Sequence, residues 1–134
     1  MDTLRITPRR GEHFCFKVVS QSDRETTYYV DLTQNHGNGV CSCLYYEHQA
    51  GAALHRRVAT AKADAAMMDE DITEEEAHSR AFQPYKRGVR GCTECKHIAA
   101  ARNHVWMRKI RPMLHSFRDG IPKDVGTVLR KFFA

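Results

Sequence analysis

Two short sulfur-rich clusters constrain this chain more than any other feature. Cys41-Ser42-Cys43 and Cys92-Thr93-Glu94-Cys95 hold four of its five cysteines, and His97 follows the second cluster by two residues. Cys and His gathered this way in a reducing compartment point to a metal ion. A disulfide framework fits poorly: the cysteine count is odd, and Met1-Asp2-Thr3-Leu4-Arg5 lacks the apolar run of an export signal. Cys15, between Phe14 and Phe16, reads as a small buried hydrophobe instead. Taken together, Cys41, Cys43, Cys95 and His97 supply three sulfurs and one nitrogen, the tetrahedral set of a structural zinc site. Cys92 offers an alternative, replacing one ligand in a CxC…CxxC arrangement. Three thiolates and a neutral imidazole leave the filled site at −1, and Arg90, Lys96 and Arg102 stand close in sequence to favour the thiolates.

The rest of the chain reads as a single α+β domain. Its 134 residues match one domain, and 42% apolar with 28% charged residues is globular composition. No run approaches the roughly 20 apolar residues of a membrane helix. Residues 13–20 and 26–32 are rich in aromatic and β-branched types and predict an antiparallel hairpin. The Asn/Gly-rich stretch 34–39 predicts a turn, and 40–44 a short strand that aims Cys41 and Cys43 at one side. Residues 49–83 form a helical acidic insertion. Leu54, Val58 and Ala65 make its apolar stripe, Asp69-Glu70-Asp71 breaks the first helix, and Thr73 with Glu76 has capping-box spacing for a second that Pro84 stops. Beyond Cys95, Ile98, Ala101 and Val105 share a helix face with Trp106 and Ile110 beside it, and Pro112 is expected to end that helix. Residues 112–134 read as a basic extension, with a turn at 119–122 and a last helix over 124–133.

Tyr28-Tyr29-Val30-Asp31-Leu32, Val40-Cys41-Ser42-Cys43 and Cys95-Lys96-His97-Ile98-Ala99-Ala100 together resemble the SWIM zinc finger. That family's pattern is CxC followed by CxH on two short strands and a helix. It occurs in transposases, chromatin-remodelling helicases, recombination factors and ubiquitin ligases. The resemblance covers residues 14–110 less the insertion and favours Cys95 and His97 over Cys92 as ligands. It implies one structural zinc in a DNA-binding or protein-interaction module. Two departures stand out: the 51-residue gap from Cys43 to Cys95, and the extra Cys92. A self-folding insertion makes the gap tolerable, since loop-closure entropy grows only logarithmically with length.

Charge separates the candidate functions. Residues 84–134 carry 12 Lys/Arg against 3 Asp/Glu, whereas 49–83 carry 4 against 7. Lys86, Arg87 and Arg90 precede the second ligand pair, and Lys96, Arg102, Arg108, Lys109 and Arg111 follow it, a pattern suited to phosphate backbones. The expected partner is therefore nucleic acid, DNA in preference to RNA, with a cytoplasmic or nucleoid location. The second reading is a protein adaptor, in which the insertion offers Leu54, Val58, Met67 and Met68 to a partner. An enzyme using Cys92 or Cys95 with His97 is not expected, because metal binding uses the same atoms better. His13, His36, His48, His55, His78, His104 and His115 show no ligand spacing of their own, and nucleotide-cradling glycine loops, HExxH and nucleophile elbows are absent.

Overall fold

The computed structural model describes residues 4–9, 11, 14–20 and 26–115; the readings at His13, 21–25, 119–122 and 124–133 lie outside them. Four antiparallel strands form one meander in chain order: β1 (Leu4–Pro8), β2 (Cys15–Ser20), β3 (Thr27–Asp31) and β4 (Val40–Cys41). The α+β class expected from the sequence holds. The pleat sorts β2 cleanly, with Phe16 and Val18 buried and Lys17 exposed between them. Phe16 pairs with Val30, and Val30 with Cys41, so the apolar face runs on to the first sulfur.

That face is covered by α3 (Lys96–Val105). Ile98, Ala101 and Val105 are buried on it and pack with Phe16, Val18, Val30 and Leu32. Each large side chain in this core contributes about 1.5–3 kcal/mol by burial. Gly39 delivers β4 to α3: its φ of +85 suits glycine, and a Cβ there would lie 3.2 Å from Ile98 Cγ2.

Between the ligand pairs, α1 (Gly51–Met67) and α2 (Glu74–Ala81) form an α-hairpin with a separate small core of Leu54, Val58, Ala77 and Ala81. Alanine on α2 lets the helices approach closely. Thr73 caps α2 as its spacing predicts, its hydroxyl accepting from the Glu76 N–H at 3.1 Å. The turn after α1 is a Schellman motif: Glu70 N–H donates to Ala65 O and Asp69 N–H to Ala66 O, with Asp69 at φ 56.

The structure adds one strand and corrects four expectations. Residues 4–8, outside the expected hairpin, form β1 and pair with β2. β4 stops at Cys41, because the chain turns into helix at residue 44, and Cys43 lies at that turn rather than in a strand. Leu54 and Val58 are buried against α2 rather than standing exposed as a surface stripe. Trp106 is 42% exposed rather than packed with Ile110. Pro112 does not end the helix: α3 passes through a π-helical turn (Trp106–Ile110) into α4 (Arg111–His115). A widened turn just before proline eases the clash between its ring and the preceding turn's carbonyl.

Candidate metal centre

Cys41, Cys43, Cys95 and His97 come from both sides of the hairpin insertion and meet at the edge of the sheet core. All four are buried, and one ligand atom from each lies within 4.8 Å of the others. His97 Nδ1 is 3.6 Å from Cys41 Sγ and 3.8 Å from Cys95 Sγ. Metal bonds of about 2.3 Å to sulfur and about 2.0 Å to nitrogen at a tetrahedral angle put S and N about 3.5 Å apart. Both S–N separations are close to that value, and the four side chains lie near enough together to hold one metal ion. His97 Nε2 is buried without a hydrogen-bond partner among the described residues, while Tyr28 stacks on the imidazole at 4.3 Å. Coordination through Nδ1 places the ring proton on Nε2.

Local backbone favours negative sulfur. Cys43 stands just before a helical segment, and its Sγ accepts from the Tyr46 N–H at 3.3 Å. Cys95 is the N-cap residue of α3. Both sulfurs thus lie near the positive ends of helices. Cys43 is pulled well below the ordinary thiol range, chiefly by hydrogen bonds from the Cys41 and Cys95 thiols. Cys41 is pushed up by its bond to Cys43, and Cys95 is pushed up by Cys41, Cys43 and burial. The three thiols thus oppose one another's ionisation, Cys43 being eased toward the anion at the expense of Cys41 and Cys95. A divalent ion is what would let all three sulfurs ionise together.

Cys92 is buried but stays outside the cluster, its thiol donating to Val89 O at 3.4 Å. Cys15 is half-buried on β2, opposite Asp31.

The basic residues divide. Lys86, Arg87, Arg90, Lys96, Arg108 and Arg111 are exposed. Lys109 is partly buried, its Nζ 4.9 Å from the Phe14 ring centroid. Arg102 turns inward: Nε meets Glu94 Oε2 at 3.2 Å, and the two terminal nitrogens donate to Gly37 O and Asn38 O at 3.1 and 3.0 Å. It braces the fold instead of facing a ligand. Sequence reasoning also passed over Arg57, whose Nε donates to Gly91 O at 3.0 Å and which lines a hollow with Lys86 and Arg90. Only the tertiary approach of α1 to the 83–92 loop joins these cations.

Comparison with known protein families, characterised proteins and solved structures finds no match to this chain. Among the described residues, no helix is long and apolar enough to cross a membrane.

Proposed function

We propose that this chain is a zinc-stabilised nucleic-acid-binding module, an accessory protein of DNA metabolism, a mobile element or a phage. The observation that carries the reading is the cationic hollow between α1 and the loop that leads into Cys95. Arg57, Lys86 and Arg90 line about 140 Å³ with no carboxylate among the lining residues. Arg87 is exposed in the same loop, and Arg108 and Arg111 are exposed on the helix beyond the ligands. Such cations neutralise phosphates and carry little base information, so weak sequence preference follows. Three thiolates and an imidazole suit zinc, and four protein ligands leave no position for a substrate. On this SWIM-like reading the ion is a cross-link between β4 and α3 and takes no part in catalysis.

A second hollow supports single strands as the tighter ligand. Tyr28, Tyr45, Tyr85 and Lys96 line about 350 Å³ beside Cys43 and Cys95. Aromatic rings beside a cation suit unpaired bases, which stack on such surfaces.

The test is binding of the zinc-loaded chain to unrelated single- and double-stranded DNA across a salt series. Micromolar or tighter binding with a log–log slope of several units is expected. The triple variant K86E/R87E/R90E should abolish it. Absence of binding at low salt would move the function to the protein-adaptor reading. Met67 and Met68 favour that alternative, being 86% and 77% exposed at the end of α1.

A further inference from the structure

The fold assembles a second group of ligand types, remote in sequence from the first. His36 lies in the 3-10 turn Asn35–Gly37 between β3 and β4, and Glu74 and His78 lie one helical turn apart on α2. One ligand atom from each of the three lies within 4.8 Å of the other two. The His36 and His78 rings stand 4.6 Å apart, centroid to centroid.

Three details prepare this group for a cation. His78 Nδ1 is 2.8 Å from the Glu74 backbone carbonyl. A proton on Nδ1 donates to that oxygen and leaves the Nε2 lone pair for a ligand, the usual arrangement of a metal-binding imidazole. Lys62 holds Glu74 Oε1, while Oε2 lies 3.9 Å from His78 Nδ1. The carboxylate thus keeps one oxygen for an ion while the lysine orients the other. Asn35 and His36 both sit at φ 54, which costs an L-residue about 1–2 kcal/mol, and this turn brings the His36 ring against His78.

We propose that His36, Glu74 and His78 form a second divalent-cation site, suited to zinc or a neighbouring transition ion. Two imidazoles and one carboxylate supply three ligands and leave the remaining positions to water. His36 and Glu74 are exposed, so this ion exchanges with solvent more freely than one in the buried thiolate cluster. The site spans the β3–β4 turn and the inserted hairpin, so a bound ion clamps one to the other. It shares no ligand with the thiolate centre and stands or falls separately.

The test is titration of the full, reduced, metal-free chain with cobalt(II) alone, followed by absorption. The thiolate centre should bind one equivalent with a sulfur-to-cobalt charge-transfer band. The second equivalent should add weaker visible absorption without strengthening that band. His36→Asn keeps a residue tolerant of positive φ, and Glu74→Gln changes an exposed side chain without removing the Thr73 cap. Each variant should lower bound cobalt from two equivalents to one with the sulfur band intact. A wild-type chain saturating at one equivalent with the sulfur band present, or variants that still bind two, would overturn the proposal. Absorption that lacks the sulfur band yet disappears in Glu74→Gln would support this site and sink the thiolate one.

Discussion

Arg102 and Glu94 form the brace behind the metal centre. Arg102 Nε lies 3.2 Å from a Glu94 carboxylate that is only 5% exposed. The other Glu94 oxygen accepts from the Tyr85 N–H at 3.1 Å. Glu94 is next to Cys95, and the carbonyls that Arg102 also engages, those of Gly37 and Asn38, lie just before Cys41. One guanidinium thus holds the approaches to both ligand pairs. Arg102→Ala would leave a buried carboxylate without its cation, and destabilisation of about 3 kcal/mol is expected in urea unfolding. Arg102→Lys should recover little, because an ammonium cannot span the carboxylate and both carbonyls. Unchanged stability in Arg102→Ala would remove the brace from this account.

The ligand assignment separates Cys92 from its neighbours. Cys43→Ser and His97→Ala are expected to lose the zinc of the thiolate centre and the cooperative unfolding of the sheet core. Cys92→Ser should retain one buried zinc, since the Cys92 thiol bonds to Val89 O instead. Metal analysis with thermal melts checks all three. Full zinc content in His97→Ala, or its loss in Cys92→Ser, would refute the assignment.

Acid sensitivity is expected from His104. Burial, with Arg108 and Lys109 close by, holds its imidazole below the ordinary histidine range, and Phe16 packs edge-on at 5.6 Å. The folded state thus favours the neutral ring, while the unfolded chain takes up a proton near pH ~6.5. Stability should fall as pH drops through the unfolded value and level off below the folded one. Urea unfolding of the wild type and His104→Gln between pH 7.5 and ~5 should show a shallower acid decline in the variant. Parallel curves would exclude His104 as a source of that decline.

The hairpin turn offers a gain. Asp69 occupies the left-handed position of the Schellman turn after α1, where glycine bears no Cβ cost. Asp69→Gly should raise stability by about 0.5 kcal/mol, net of glycine's greater freedom in the unfolded chain. A higher urea midpoint with zinc content unchanged is the expected reading. A lower midpoint would mean that the aspartate side chain stabilises this turn.

Much of the architecture was written in local patterns. Aromatic and β-branched richness marked β2 and β3, Thr73 and Glu76 marked the start of α2, and the i, i+3, i+7 spacing of Ile98, Ala101 and Val105 marked the buried face of α3. The four residues of the thiolate cluster were legible because CxC and CxH put donors within a residue or two of each other, a signal that survives a 51-residue gap. The short β1, the helix continuing through Pro112 and the outward Trp106 were not legible, since strand pairing, a π turn and core limits depend on distant neighbours.

What sequence alone determined was therefore the α+β class and the pair spacing of its Cys and His donors, features set by short-range periodicity and ligand chemistry. The tertiary structure decided which cations face solvent and which brace the fold. Arg102 looked like a phosphate contact until the chain folded it onto carbonyls more than 60 residues away. Likewise, His36 gained Glu74 and His78 as neighbours only because α2 packs beside the turn between β3 and β4. A side chain's partner across such distances is fixed by how elements pack, and no local pattern encodes that.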